Sequence, residues 1–347
     1  MEKKRDTSID ILRGMAIILV IIGHILYTPH VIRAWLYTFH VPLFFICSGI
    51  LFAPEHYPRF KDFLLSRVRG LLIPLFTLGA LTWLCQVAMT NLICLNPVIS
   101  PDFAVPFDPV KQILSLLLGD RTHTYYFSLW FLYALFLGEL LFYFLVRLLK
   151  RRWYGYVLLM LFGMGLQYLI SQHVEGTYWS VDLLPVCICF LSAGFLYRLF
   201  FFEKKTKLPI WLLPVSALLS LLFFWWNRPD GDQVNLFYEQ IGNPLYYLIA
   251  ALAGFLLCMI LAQQMGNCRP LEFFGRNSLV SYAFQNQVFI PMMLVLVNLL
   301  SNRNEELFSG KTFKWIVSLC ATLLLCALFS ALINRFVPWM AGKRRSR

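Results

Sequence analysis

The chain has 347 residues, a length that would ordinarily suggest two or three soluble domains. However, 59% of the residues are hydrophobic, only 14% are charged, and 32 are Phe. Soluble domains carry about 25% charged and roughly 45–50% apolar residues, so this composition excludes a water-soluble protein. We predict an all-α polytopic membrane protein that forms a single membrane-embedded domain over residues 1–347.

The apolar runs of the sequence predict about ten transmembrane helices. The first run carries Arg13 and His24 and shows no small-residue cleavage site, so we expect it to be retained as a helix. Each run is close to the roughly 20 residues that cross the hydrocarbon, and none alternates as a barrel strand would. The predicted spans are 9–27, 34–53, 71–92, 125–146, 154–170, 181–202, 208–226, 244–262, 279–300 and 312–333.

Basic residues in the loops predict the orientation. With a cytoplasmic N-terminus, the inner loops and inner helix ends hold 23 of the 30 Lys and Arg residues. Ten spans then place both termini in the cytoplasm, and we expect an integral protein of the cytoplasmic (inner) membrane. The net charge of +12 fits contact with anionic membrane lipid. A nucleic-acid partner is not expected, because the basic residues lie in short loops.

Two outer loops are longer than a turn. In the first, Asp108 is placed to cap a helix with Pro109 at its first position, which predicts a short interfacial helix over 110–118. The second, residues 227–243, is polar and rich in turn formers. The nine cysteines form neither a CxxC pair nor a Cys/His cluster, so we expect them to be reduced and structural, with no bound metal.

The first span contains three ionisable residues. Such a residue at mid-helix costs about 2.5–3.5 kcal/mol in a membrane and suggests a functional site. Eleven residues at 100° each bring Arg13 and His24 onto one face, about 16 Å apart, with Asp10 nearly in line. We therefore predict a polar stripe. The alternative is that Arg13 reaches the inner headgroups while His24 bonds a neighbouring helix.

The second span predicts a kink at Pro42, which lies inside an apolar run. His40 stands beside that proline, near the outer end. It either lines a cavity with His24 or sits in the headgroup layer, and the sequence does not separate these two placements.

Arg67 and Arg69 fall in a predicted inner loop before the third span. They are either ordinary inner-side cations or a grip for a polyanion, because guanidinium binds phosphate oxygens in pairs. Glu139 lies in the middle of the fourth span and needs a partner, for which Arg13 and His24 are the candidates.

The ninth span has Asn277 or Ser278 as a candidate N-cap. Helical spacing then places Tyr282, Gln285 and Asn286 on one face, at i, i+3 and i+4. They either belong to a substrate cavity or hydrogen-bond between helices.

Together these segments resemble the acyltransferase family 3 of integral membrane proteins. The resemblance rests on five segments in order, which read SIDILRG…GH (residues 8–24), FHVPLFFICSG (39–49), RVR…IP (67–74), LWFL (129–132) and FGRNSLVSY (274–282). It implies O-acyl transfer to sugars and related molecules, with acetyl-CoA as the usual donor, and functional roles for Arg13, His24, Arg67 and Arg69. The family often has a His where this chain has Gln285, so a proton-handling role at that position does not carry over.

The expected reaction moves an acyl group from a cytoplasmic acyl-CoA to a hydroxyl of a carbohydrate or lipid-linked sugar. His24 is the expected base, because imidazole titrates near pH 6.5. Arg67 and Arg69 would hold the donor phosphates and Arg13 would line the route between them. Acetyl and succinyl donors both fit, and the acceptor is open. The alternatives are a secondary transporter or flippase for a glycan-type substrate, or a structural membrane partner without catalysis.

Overall fold

A computed structural model describes residues 6–92, 108–120, 129–174, 176–227, 233–303 and 310–343. Helices dominate these residues, and the described chain contains no β-strand, only two isolated bridges. The α-helices are α1 (Thr7–His24), α2 (His30–Tyr37), α3 (His40–Leu51), α4 (Phe60–Arg67), α5 (Ile73–Leu92), α6 (Pro109–Leu118), α7 (Trp130–Leu149), α8 (Trp153–Ser171), α9 (Leu184–Tyr197), α10 (Leu212–Trp226), α11 (Pro244–Met265), α12 (Arg269–Arg276), α13 (Ser278–Phe284), α14 (Ile290–Arg303) and α15 (Lys311–Phe336). Wide π turns join α4 to α5 at Val68–Leu72 and α13 to α14 at Gln285–Phe289, and a third, Arg198–Phe202, extends α9.

The described residues form nine helical segments long and apolar enough to cross a membrane. A further apolar helix, α10, has 15 residues and corresponds to the predicted span 208–226. The prediction of about ten transmembrane helices in an all-α protein is therefore confirmed. Residues 125–128 of the predicted fourth span lie outside the described residues.

The second span is broken four residues before its proline. Pro42 has no N–H to bond the Thr38 carbonyl, and the helix stops at Tyr37 and starts again at His40, where Leu43 N–H bonds the Phe39 carbonyl. The predicted kink is present, and it makes His40 the first residue of α3.

The third span begins earlier than predicted. The segment carrying Arg67 and Arg69 is helical, because α4 passes into α5 through the π turn Val68–Leu72. The prediction of an inner loop at these arginines was wrong. Pro74 has no N–H for the Gly70 carbonyl, and the wide turn accommodates the missing bond.

Two predicted caps have different outcomes. Asp108 accepts hydrogen bonds from the backbone N–H groups of Val110 and Lys111, so the predicted short helix and its cap are confirmed in α6. Asn277 does precede α13, but its side chain makes no capping bond. Its amide instead donates to the Phe273 carbonyl at 2.7 Å.

The beginning of α1 packs closely on α12. A Cβ on Gly275 would lie 1.8 Å from the Asp10 carbonyl oxygen, and one on Gly14 would lie 2.0 Å from that of Leu271, so only glycine allows this approach. Arg276 Nε also donates to Asp10 at 3.0 Å. Because Lys343 bonds Asn277 beside Arg276, the first and last described residues lie at the same end of the bundle.

Candidate active site

Two cavities among the described residues involve the predicted site residues. The larger of the two, about 200 Å³, is lined by His24 and His40 and is called the histidine cavity. It is lined by Val20, His24, Tyr37, His40, Val41, Trp130, Asn235, Leu236, Phe237, Tyr238, Tyr282, Asn286 and Gln287. The smaller, about 90 Å³, contains Arg13 and is called the arginine cavity. It is lined by Arg13, Phe44, Ser48, Gly70, Leu71, Phe131, Leu132, Leu135, Ser278, Leu279 and Tyr282.

Tyr282 lines both cavities. It is the residue that the two linings share, and its ring centre lies 5.9 Å from that of Phe131 in an edge-on arrangement. His24 lines one cavity and Arg13 lines the other, so the predicted polar stripe on α1 reaches both.

His24 is the last residue of α1, and its protonation pattern is set by the backbone. Nδ1 lies 2.8 Å from the Val20 carbonyl oxygen. A carbonyl can only accept, so Nδ1 carries the hydrogen and Nε2 of the neutral ring is the basic nitrogen. Although the ring is deep within the bundle, it is half-buried because it faces the histidine cavity. This is the arrangement that a general base requires.

His40 shares the same cavity. Its Nδ1 donates to the Leu36 carbonyl at 2.7 Å, which makes Nε2 the basic nitrogen here too. The His24 and His40 ring centres are 6.4 Å apart and perpendicular, and Tyr37 lies beside both, at 5.8 and 4.7 Å. His40 is only 2% exposed. The sequence left two placements open for His40, and in the structure it lines a cavity with His24.

Arg13 lines the arginine cavity from the middle of α1. Its Nε is buried and has no hydrogen-bond partner among the described residues. A guanidinium in this position can donate hydrogen bonds to a polar or anionic group that enters the cavity.

Asp10 does not take part in either cavity lining. Its carboxylate bonds Arg276 of α12, and Arg276 also bonds Glu272 at 2.7 Å. Although Asp10 stands nearly in line with Arg13 and His24, its side chain anchors α12 to α1.

Glu139 pairs with Arg67. Arg67 Nη1 lies 2.9 Å from Glu139 Oε2, and the guanidinium also lies over the Phe63 ring. The prediction that Arg13 or His24 would be the partner of Glu139 was wrong, because the helical extension through Val68–Leu72 brings Arg67 against α7 instead. Arg69, two residues on, is exposed beside Gly70 and Leu71 of the arginine cavity.

Gln285 differs from its neighbours on the ninth span. It is 0% exposed, and both its side-chain polar atoms are buried without a partner among the described residues. Tyr282, Asn286 and Gln287 line the histidine cavity, whereas Gln285 does not. The predicted shared face of Tyr282, Gln285 and Asn286 assumed a regular α-helix. The π turn Gln285–Phe289 is wider than an α-helix, so Gln285 does not lie on the same face as the other two.

Several cavity residues were missed by sequence reasoning. Trp130, which entered only as part of the LWFL segment, begins α7, and residues 235–238 come from the outer loop 227–243, for which no role was predicted. The signal in that loop is the succession of an amide and two aromatic side chains in Asn235, Phe237 and Tyr238. Within the described part of the chain, no group of three or more His, Cys, Asp or Glu side chains is placed to hold a metal ion.

Comparison with known proteins identifies the family. The family model described as an acyltransferase domain, acyltransferase family 3, matches residues 6–332, nearly the whole chain. No curated protein and no solved structure gives a significant match. The match spans both cavities and every helix that lines them, and the chain belongs to the acyltransferase family 3 of integral membrane proteins.

Proposed function

We propose that this membrane acyltransferase moves an acyl group from an acyl-CoA in the arginine cavity to a hydroxyl of a carbohydrate in the histidine cavity. The observation that carries the proposal is that Tyr282 lines both cavities. A thioester held at this boundary is within reach of a hydroxyl on the other side, so donor and acceptor can enter from opposite ends of the bundle.

His24 is the proposed general base. Its basic Nε2 takes the hydroxyl proton of the acceptor while the oxygen attacks the thioester carbonyl carbon. The carbon–sulfur bond then breaks, and the sulfur leaves as a thiolate that takes the proton from the imidazolium. One imidazole therefore serves both halves of the transfer, and no net proton is gained or lost.

Arg13 and Arg69 are the proposed donor-binding residues. Arg69 is exposed and directly precedes Gly70 and Leu71, which line the arginine cavity, so it can pair with the phosphates of the CoA nucleotide. Arg13 lies deeper, about 16 Å along α1 from His24, a distance comparable to an extended pantetheine arm. Because Arg67 already pairs with Glu139, we assign it a smaller share of phosphate binding than Arg69.

The histidine cavity suits a sugar ring. Its lining combines aromatic faces, such as Trp130 and Tyr37, with the amides of Asn235, Asn286 and Gln287. Aromatic faces pack on the apolar face of a pyranose and amides bond its hydroxyls. At about 200 Å³, the histidine cavity is smaller than the usual ligand pocket of about 300–1,000 Å³. We therefore expect it to hold one sugar unit, with the rest of a larger acceptor outside. The acyl group is expected to be acetyl, the orientation to place Arg69 on the cytoplasmic side, and the membrane to be the inner one.

The test uses purified protein in detergent with radiolabelled acetyl-CoA and a panel of glycosides. His24→Ala should lower kcat by about 10²–10⁴-fold, the usual contribution of a general base, and leave the donor KM unchanged. His173→Ala is the matched control, because His173 is exposed in the turn after α8. Full activity of His24→Ala would remove His24 as the base.

Arg69→Ala should raise the KM for acetyl-CoA, and Arg152→Ala, an exposed arginine between α7 and α8, should not. An unchanged donor KM in Arg69→Ala would contradict the phosphate role. Movement of a glycan across proteoliposomes without any thioester turnover would support the transporter alternative instead.

A further inference from the structure

The last described residues of the chain fold back onto the arginine-bearing π turn. After α15, the short 3₁₀ turn Pro338–Ala341 packs against α5, where Thr77 Oγ1 lies 3.3 Å from the Met340 carbonyl oxygen. Gly342 follows with φ of 69°, and a Cβ there would lie 3.3 Å from the carbonyl oxygens of Arg69 and Gly70. This C-terminal turn therefore sits directly on the backbone that carries Arg69.

Lys343 connects the same turn to a second helix. Its Nζ donates to Asn277 Oδ1 at 2.6 Å and to Asn334 Oδ1 at 2.8 Å, and Asn334 Nδ2 donates to Asn277 Oδ1 at 2.7 Å. Asn277 is 4% exposed. Hydrogen bonds from a charged donor are roughly twice as strong as neutral ones, so Lys343 holds Asn277 firmly in place.

Both contacts involve segments that line the arginine cavity. Gly70 and Leu71 form one part of its lining, the Gly70–Leu71 wall, and Ser278 and Leu279 form another, the Ser278–Leu279 wall. Gly342 lies against the backbone of Arg69 and Gly70, and Lys343 bonds Asn277, the residue before Ser278. The C-terminal turn therefore connects two parts of the cavity lining that are distant in the chain.

We propose that Lys343 is a positioning residue for the acyl donor, which keeps the Ser278–Leu279 wall at a fixed separation from the Gly70–Leu71 wall. The proposal rests on the proposed function, since it is there that the arginine cavity is assigned to the donor. Lys343 acts through Asn277, because its ammonium is held by two amide oxygens. Its substitution loosens the donor site without touching His24 or the acceptor cavity.

The expected result for Lys343→Met is a donor KM raised about tenfold, equivalent to about 1.4 kcal/mol of lost binding, with kcat within about twofold. This is the pattern for an interaction made equally in the ground state and the transition state. Lys343→Arg keeps the charge and donors and should recover most of the affinity. Lys204→Met, an exposed lysine after α9, is the matched control and should leave KM unchanged.

A second donor separates positioning from direct phosphate contact. Acetyl-pantetheine lacks the nucleotide phosphates of acetyl-CoA but uses the same cavity. A positioning residue affects both donors, so Lys343→Met should raise the KM for each by a similar factor. A rise for acetyl-CoA alone would mean that Lys343 contacts phosphate directly, and would overturn the proposal.

Asn334 gives an independent variant should Lys343→Met not be recovered as a folded protein. Asn334→Leu removes one acceptor of Lys343 and one donor to Asn277, and it should raise both KM values. Unchanged KM values in Lys343→Met and Asn334→Leu, with an active wild type, would refute the proposal alone. A wild type that transfers no acyl group from either donor would instead refute the proposed function.

Discussion

The Arg67–Glu139 pair allows a sharp test, because the two partners differ in exposure. The Nη1–Oε2 distance is 2.9 Å, and the side chain of Glu139 is 4% exposed whereas that of Arg67 is 27% exposed. Removing one partner of a buried pair typically costs about 3–5 kcal/mol, because the other charge is left without compensation. The size of the loss therefore depends on which charge remains.

Arg67→Gln leaves the carboxylate of Glu139 almost without access to solvent, so we expect a loss of about 3–5 kcal/mol in the free energy of unfolding. Glu139→Gln leaves a guanidinium that is partly hydrated, and about 2–3 kcal/mol is expected after discounting for that exposure. In the double variant neither charge remains. Its loss should fall short of the sum of the single losses by about 2 kcal/mol, within the usual range for residues in contact.

The measurement is denaturant-induced and thermal unfolding of the purified variants in one detergent. Lys111→Gln is the matched control, since Lys111 pairs with Asp108 and their side chains are 79% and 43% exposed, and exposed pairs contribute about 0–1 kcal/mol. Additive losses in the double variant, or a larger loss for Glu139→Gln than for Arg67→Gln, would refute this reasoning. The same proteins test the phosphate role of Arg67, because Glu139→Gln releases the guanidinium and should not raise the donor KM.

Two further predictions concern the frame of the site. Gly275→Leu places a Cβ 1.8 Å from the Asp10 carbonyl oxygen and should destabilise the folded protein by more than about 3 kcal/mol, the upper range for overpacking. Gly165→Leu is the control and should be neutral, because nothing lies within 4 Å of a Cβ at that position. The two variants are compared by size-exclusion yield and Tm. Tyr282→Ala removes a side chain that lines both cavities. It should increase the rate of acetyl-CoA hydrolysis relative to acyl transfer, because water then reaches the thioester. Tyr282→Phe keeps the ring and should preserve the wild-type ratio, and an unchanged ratio in Tyr282→Ala would argue against the shared boundary.

Features that depend on local chain geometry could be predicted from the sequence. Ten apolar runs gave the helical spans, because crossing the hydrocarbon fixes a minimum length of apolar residues. The cap of α6 followed from Asp108 and Pro109, which act within one turn of helix. The placement of Arg13 and His24 on α1 followed from the helical repeat, which does not depend on any neighbour.

Partners contributed by distant segments could not be predicted. Glu139 bonds Arg67 and Asp10 bonds Arg276, and each pairing depends on how two helices pack. The wide turns at Val68–Leu72 and Gln285–Phe289 changed which residues face inward. Helical spacing therefore placed Gln285 with Tyr282, and the limits of the apolar runs left Arg67 and Arg69 in a loop.

The amino-acid sequence thus determined that this chain is a membrane-embedded helical bundle with charge along its first span. Tertiary structure alone decided that Tyr282 lines both the histidine cavity and the arginine cavity, and that residues 235–238 line the first of these. The physical reason is that lipid is as apolar as the interior of the bundle. Hydropathy identifies which segments cross the membrane, but it does not tell which face of a helix meets lipid and which meets another helix.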